Sequence, residues 1–199
     1  MPRKAIMPGC RSAGDGNRPP GRAGGFLLAA AVCLLGLLPG GPAAAVPQKA
    51  AVFPSELVDT STEGAYGGAR ADQTARLALI TRTLAEGLAA SGDYVVVDTA
   101  PEAAAIEAAS PLRTCNGCEI DIARRLGADV AVIAVVQKVS NLILDLHVYV
   151  RAVPGGEVLR YGSTSIRGNT DESWTRGVRW LLAHRILKNE APGGAAVAP

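Results

Sequence analysis

The run Asp129-Val-Ala-Val-Ile-Ala-Val-Val-Gln137 decides the fold. It is apolar and rich in branched residues without alternation, which is typical of a strand buried on both faces in the middle of a sheet. Residues 141–153 follow, and here apolar and polar side chains alternate, which predicts an antiparallel strand with one wet or partner-covered face. The turn Pro154-Gly155-Gly156 leads into a returning strand over 157–167.

Upstream of this core, the sequence predicts a strand, a long loop and a helix. Lys49 to Val58 is expected to be a strand interrupted by Pro54, because proline cannot donate to a strand ladder. The polar stretch Asp59 to Arg70 is expected to be a loop. Apolar residues at helical spacing predict a helix from Asp72 to about Ala90.

The remaining elements complete an α/β (α+β) domain. Tyr94 to Asp98 reads as a buried strand, and the last helix is expected at about 170–187, with Asn169 and Glu172 as a capping box. Two shorter helices are predicted at 102–109 and 119–126. The fold prediction is a single domain with a mixed sheet, in the order β-α-β-α-α-β-β-β-α, with the helices packed on the sheet.

The first 45 residues have the pattern of a secretory signal peptide. A basic start precedes the apolar run Phe26 to Leu38, and Ala43-Ala44-Ala45 supplies a small-residue cleavage site. We place cleavage between Ala45 and Val46, followed by a periplasmic domain over 46–189 and a disordered Ala/Pro/Gly-rich tail over 190–199. The alternative is an uncleaved membrane anchor, but the apolar run falls short of the roughly 20 residues that a spanning helix needs. No stable membrane span is expected after cleavage.

Charge argues against nucleic acid as a partner. The whole chain has 20 basic and 18 acidic residues, but residues 1–45 contain five of the basic and one of the acidic ones. The remainder therefore has 15 basic and 17 acidic residues, so the basic excess belongs to the export signal.

Cys115 and Cys118 are the only cysteines after the predicted cleavage site. An even pair in an oxidising compartment is expected to form a disulfide. We favour a structural staple, with a redox-active pair as the alternative, since Cys118 in the first turn of a helix capped by Asn116 would favour a thiolate. A c-type haem needs histidine where Glu119 stands, and a zinc site needs further ligands at fitting spacing, so neither a metal nor a cofactor is predicted.

Two polar groups are candidate binding residues, and no catalytic residue is predicted. The first lies along the alternating strand and comprises Asn141, Asp145, His147, Tyr149 and Arg151. These are candidates for partner contact, although the solvent face of a sheet has the same pattern. The second precedes the last helix and comprises Arg167, Asn169, Asp171 and Trp174. Such a group can bind an anion, but more often it caps the helix.

Local phrases resemble known exported domains. Ala51 to Leu57, Leu126 to Val132 and Val150 to Leu159 are similar to stretches of TolB amino-terminal domains, CsgG proteins and penicillin-binding-protein activator lipoproteins. A fuller resemblance covers about Phe53 to Ile186 and points to an uncharacterised family of exported proteobacterial proteins. Its matching phrases are Phe53 to Ser61, Cys115 to Glu119, Gln137 to Leu144 and Arg167 to Trp174. That resemblance implies an accessory role, loosely associated with quinoprotein alcohol oxidation.

The expected function is that of a non-enzymatic, soluble periplasmic accessory protein that contacts a partner protein or a cell-envelope component. Two alternatives stay open. The first is a thiol-disulfide redox protein that uses Cys115 and Cys118. The second is a small-ligand carrier with its pocket under the Asp59 to Arg70 loop.

Overall fold

A computed structural model describes residues 46–68 and 70–188. The predicted signal peptide, its cleavage site at Ala45 and the predicted tail at 190–199 lie outside the described residues. Within the described part, no helix is both long and apolar enough to cross a membrane. The strands are β1 Gln48–Val52, β2 Glu56–Asp59, β3 Tyr94–Val97, β4 Val130–Lys138, β5 Ile143–Ala152 and β6 Val158–Arg167. The helices are α1 Thr62–Gly67, α2 Ala71–Ser91, α3 Ala103–Ala109, α4 Cys118–Arg125 and α5 Asp171–Leu181.

The six strands form one mixed sheet around β4. Its order is β3-β1-β4-β5-β6, and β2 also pairs with β4. Strand β1 pairs in parallel with β3 and with β4, and β2 pairs in parallel with β4. The pairs β4-β5 and β5-β6 are antiparallel. The predicted fold class, a single domain with a mixed sheet and packed helices, is confirmed.

Pro54 interrupts the first strand as predicted. Residues 50–52 pair with 130–132 of β4, and after the break residues 56–59 pair with 135–138 of the same strand. The N–H of Phe53 donates to the carbonyl of Val132 at 3.0 Å, so the chain stays attached to β4 up to the proline. Two short strands therefore line up along one side of β4.

The two faces of the sheet carry separate cores. On one face, α2 and α5 cover the even-numbered residues of β4 and β5, with Trp174 and Leu84 fully buried. On the other face, α3 and α4 cover Phe53, Ile133 and neighbouring side chains. Every residue of β4 except Gln137 is buried, which fits the prediction of a strand covered on both sides.

Helix α5 and the turn that follows it lie very close to the hairpin because two glycines permit it. A Cβ on Gly177 would meet Ile166 Cγ2 at 2.8 Å, and one on Gly162 would meet Arg185 Cβ at 2.7 Å. A side chain at either position would clash with these atoms, so neighbouring side chains or the helix would have to shift. The last helix was predicted to run to about residue 187. In the structure the regular α-helix ends at Leu181, and a π-helical turn continues over Leu182–Ile186.

Two local expectations are wrong. The segment predicted as a loop over 59–70 contains the helix α1, whose amino-terminal cap is the Ser61 side chain. The cap of α5 is Thr170, which forms a capping box with Ser173, rather than Asn169 with Glu172. Asn169 is instead engaged by side chains from other elements.

A buried ionic cluster holds α1 against the sheet. Lys138 at the end of β4 is fully buried, and its Nζ donates to Asp59 Oδ2 at 2.9 Å and to Glu63 Oε2 at 2.7 Å. Burial lowers the pKa of Lys138, but the hydrogen bonds to Glu63 and Asp59 outweigh it, so the net pKa is raised. The ammonium is therefore charged at neutral pH and ties Glu63 of α1 to the end of β4.

Candidate functional site

The candidate site is a groove on the sheet face that carries α3 and α4. Its volume is about 600 Å³. The floor comes from β2 and β4, one wall comes from the chain around the cysteines, and the other comes from β5 and β6. The residues that decide its chemistry are Arg113, Glu119, His147, Tyr149 and Arg151.

The antiparallel register brings three aromatic rings together at the side of this groove. Tyr149 of β5 lies opposite Tyr161 of β6, and their ring centroids are 4.9 Å apart. His147 stacks with both rings, and a hydrogen bond of 3.0 Å joins its Nδ1 to the Tyr161 hydroxyl. We call His147, Tyr149 and Tyr161 the aromatic cluster.

Two residues of the aromatic cluster, His147 and Tyr149, have pKa values that are shifted toward the uncharged form. Burial lowers the pKa of His147, and the nearby Asp145 only partly offsets that effect. Burial also raises the pKa of Tyr149, with Tyr161 adding to the shift. Rings that are half-exposed and neutral present an apolar surface with polar edges, as is common where proteins bind other molecules.

The arginines of the groove are paired with carboxylates. Arg113 Nη1 donates to Glu56 Oε2 at 2.9 Å, and Glu56 also accepts from the backbone N–H of Leu112. Arg151 Nη1 donates to Glu119, whose side chain is only 1 % exposed, and Arg151 Nε donates to the Gly156 carbonyl at 2.9 Å. These pairs cancel charge within the groove and fix its walls.

Cys115 and Cys118 form the predicted disulfide, with the Cα atoms 5.6 Å apart. The turn between them has Asn116 at φ 57° and Gly117 at φ 98°. Asparagine and glycine adopt this left-handed backbone most readily, which explains the Asn-Gly between the cysteines. The residue before α4 is Gly117, so the expectation that Asn116 caps this helix is wrong.

The surroundings of Cys115 disfavour a thiolate. Its Sγ lies 3.1 Å from the Leu112 carbonyl oxygen and 3.4 Å from Glu119 Oε2, so a negative sulfur would face two electron-rich atoms. Cys118 is the first residue of α4, where the helix dipole favours a thiolate. The residue types of Cys115, Cys118 and Glu119 could bind a metal, but in the oxidised pair the sulfurs are bonded to each other.

We expect the reduction potential of the Cys115–Cys118 pair to lie below about −300 mV. Reduction would free the turn beside the groove and leave the Cys115 sulfur against the Glu119 carboxylate, which favours the oxidised form. Equilibration with glutathione and dithiothreitol buffers, read by thiol alkylation and mass, measures the potential. A value between about −120 and −230 mV would make the pair an exchange site instead.

The predicted polar residues fall into two groups with different surroundings. Asp145, His147, Tyr149 and Arg151 lie on one face of β5 as the alternation predicts, and Arg167 lies opposite Ile143 on β6. By contrast, the remaining four residues belong to a hydrogen-bonded network that involves α2, α5 and the loops beside them. These four residues are Asn141, Asn169, Asp171 and Trp174.

The connections of this second group are specific. Asn169 Oδ1 accepts from the Trp174 indole at 3.1 Å and from Arg76 of α2 at 3.3 Å, while its Nδ2 donates to Asn141 at 3.2 Å. Arg76 Nε donates to Asp171 at 2.8 Å. Trp174 is fully buried, so its side chain contributes to the core and does not face a partner.

Tyr161 and Glu119 are site residues that were not among those predicted from the sequence. The signal for Tyr161 was present, because Tyr161, Ser163, Ser165 and Arg167 alternate in the returning strand, and counting back from the turn pairs Tyr161 with Tyr149. No such signal marks Glu119, since its burial depends on Arg151 reaching it from 32 positions away.

Three solved structures illustrate the similarities of this fold. The LpoB C-terminal domain from Salmonella enterica is 20% identical, with 61% of this chain and 84% of that chain covered and a TM-score of 0.44. A PelC dodecamer from Paraburkholderia phytofirmans is 15% identical, with 72% and 92% covered and a TM-score of 0.40. Lipoprotein GNA1162 from Neisseria meningitidis is 18% identical, with 63% and 84% covered and a TM-score of 0.38.

The family is shown by sequence. No curated protein matches the chain. A family model, DUF3280, matches residues 48–186 and is described as "Protein of unknown function (DUF2380)". The predicted membership in an uncharacterised family is thereby confirmed, while the resemblance to TolB and CsgG stays a prediction. The described domain lies almost wholly within the match, and the chain belongs to the DUF3280 family.

Proposed function

We propose that this chain is a non-enzymatic binding protein of the cell envelope, and that the groove with its aromatic cluster contacts a partner protein. The observation that carries the proposal is the aromatic cluster itself: three partly exposed rings beside a groove whose arginines are already paired. Tyrosine and arginine are enriched among the residues that dominate binding energy in protein interfaces.

The disulfide supports the export part of this proposal. Cys115 and Cys118 are bonded in the structure, and such bonds persist in oxidising compartments outside the cytoplasm. The link to quinoprotein alcohol oxidation has its basis in the sequence resemblance alone and stays a prediction.

The partner-binding role can be tested with matched tyrosine variants. We expect Tyr149→Thr and Tyr161→Thr together to reduce capture of specific partners from an envelope extract by at least about tenfold, the loss of roughly 1.4 kcal/mol or more. Tyr66→Thr is the control, because Tyr66 is 89% exposed on α1 and does not line the groove.

Capture is quantified by mass spectrometry against the wild-type chain, and thermal unfolding verifies that each variant is folded. Equal loss in the Tyr66 variant, or no loss in the double variant, would contradict the proposal. Charge reversal at Arg151 is a poor probe, since it would also remove the partner of the buried Glu119 carboxylate.

The groove also favours a second candidate function, a small-ligand carrier. Its volume of about 600 Å³ lies within the range of ordinary ligand pockets. The position differs from the expected one, because none of the described residues of 59–70 lines the groove. Native mass spectrometry of the protein purified from its own envelope would reveal a retained small molecule if the carrier role applies.

A further inference from the structure

The sheet has two very different edges. At one edge, β3 is only four residues long, and short edge strands resist pairing with other chains. At the other edge, β6 runs for ten residues and, among the described strands, pairs only with β5. It contains no proline, and its charged residues are Arg160 and Arg167.

The register identifies which backbone groups of β6 point away from the sheet. Gly168 N–H donates to the Leu142 carbonyl at 3.2 Å, so this opposed pair is a hydrogen-bonded one. Because hydrogen-bonded and non-hydrogen-bonded pairs alternate in an antiparallel ladder, every second residue of β6 directs its N–H and C=O outward. These residues are Tyr161, Ser163, Ser165 and Arg167, and none has a further backbone partner within residues 46–68 and 70–188.

Among the described residues, three arginines and one carboxylate lie beside this edge, so the balance of charge there is positive. Arg160 and Arg167 belong to β6, and the Arg185 side chain lies across Gly162. None of the three is in an ion pair within the described part of the chain. The nearby carboxylate is Asp145 of β5, which accepts a hydrogen bond from the Ser165 hydroxyl and keeps its negative charge.

This charge distribution selects the occupant of the edge. A second copy paired through β6 would bring two sets of these arginines together without any acidic residue on either strand. An acidic strand would instead place carboxylates near Arg160 and Arg185 on the helix side of the sheet. Its intervening side chains would lie beside Tyr161 on the groove side, so the edge continues the surface of the aromatic cluster.

We propose that the β6 edge binds an extended, acidic segment of the partner protein as an added strand, through the outward N–H and C=O groups of Tyr161, Ser163, Ser165 and Arg167. The inference rests on the proposed function, because it assigns the chemistry and the binding mode of the protein partner. Main-chain hydrogen bonds supply affinity in this mode, and the arginines select acidic side chains.

The probe is a synthetic peptide of about ten alternating Glu and Val residues, matching the length of β6. We expect it to bind the whole described domain and to slow hydrogen exchange at the amides of Tyr161, Ser163, Ser165 and Arg167. Binding should weaken as salt is raised, since exposed charges are screened. A Lys-Val peptide of equal length should bind at least about tenfold more weakly, a difference of roughly 1.4 kcal/mol.

Two variants test the binding mode. Ser163→Pro removes an outward N–H without removing a bond to β5, and it should weaken Glu-Val binding by about tenfold or more, whereas Ser163→Ala should not. Arg160→Glu with Arg167→Glu leaves the backbone intact and should reverse the preference toward Lys-Val, so the test holds even if the proline variant unfolds.

Protection confined to the groove, or equal binding of both peptides, would overturn the edge inference. So would dimerisation through β6 in the absence of peptide, because it would identify a second copy as the occupant. The double tyrosine variant separates this inference from the proposed function, since Tyr149→Thr and Tyr161→Thr keep every outward N–H. If these substitutions abolish partner capture while the wild-type edge binds no acidic peptide, only the edge inference fails.

Discussion

Replacing Asp59 and Glu63 together, as Asp59→Asn and Glu63→Gln, is expected to lower the free energy of unfolding by about 3–5 kcal/mol at neutral pH. The reason is that Lys138 is 0% exposed and donates to both carboxylates, at 2.9 and 2.7 Å. Without them a buried ammonium has no counter-charge, and its desolvation is no longer compensated. Urea unfolding followed by circular dichroism measures the change.

Two controls separate this cause from general damage to α1. Adding Lys138→Met to the double variant removes the uncompensated charge and should restore most of the lost stability. Lys138→Met alone should cost less than the double variant, because the Asp59 and Glu63 side chains remain 15% and 33% exposed and can be hydrated. A triple variant as unstable as the double would contradict the ionic explanation.

The same cluster gives a pH dependence of definite sign. Burial raises the pKa of Asp59, but hydrogen bonds from Ser61 and Lys138 outweigh it, and the net pKa lies below the ordinary 3.8. The hydrogen bond from Lys138 lowers the pKa of Glu63 below 4.5. Their stabilisation is therefore present above these ordinary values and is lost as pH falls through the folded pKa values. The wild type and the double variant should converge in stability as the solution is acidified.

Arg151→Met is expected to destabilise the domain by about 3–5 kcal/mol, comparable to the loss of the Lys138 partners. Glu119 is 1% exposed, and Arg151 is the cation that it binds. Methionine keeps much of the arginine stem volume, so the change mainly removes the charge and the bond to the Gly156 carbonyl. Denaturant unfolding at neutral pH measures the loss.

The matched control is Glu119→Gln in the Arg151→Met background. Removing the unpaired carboxylate should recover most of the stability, whereas Arg113→Met should cost less, because Glu56 is more exposed than Glu119 and retains its bond from the Leu112 N–H. If Arg151→Met unfolds no more easily than Arg113→Met, the buried pair contributes little, and Arg151 would again be a candidate for direct partner contact.

Much of the sheet was predictable because local pattern and tertiary burial agree. The apolar run of β4 predicted a central strand, and the alternation of β5 predicted which side chains face the groove. The stripe of α5 was also predictable, since Trp174, Val178 and Leu181 recur at helical spacing and all are buried. In each of these elements the apolar positions of the pattern are the buried ones, so the pattern alone identifies the side chains that pack in the core.

The rest could not be predicted because it depends on partners distant in sequence. The segment of α1 contains Gly64 and Gly67 and resembles a loop, yet Glu63 reaches Lys138 from 75 positions away and holds the helix in place. Asn169 was predicted to cap α5, but its side-chain carbonyl oxygen accepts hydrogen bonds from Trp174 and Arg76. Thr170 caps the helix instead. The groove likewise could not be predicted, because it forms only where the cysteine turn, β2 and the β5-β6 hairpin, which are distant in sequence, lie side by side.

The position of β4 also constrains the order in which the chain can assemble. Lys49 at the start of β1 bonds to Asp129, 80 positions later, and β2 pairs with the end of the same strand. A chain that emerges from its amino terminus can pair β1 with β3, but β2 has no partner strand until β4 has followed. The β4-β5-β6 meander closes over short connections and is complete as soon as it emerges. The last strands to emerge thus form the template on which the first strands dock, and the interval before β4 arrives is when the chain is most exposed to aggregation.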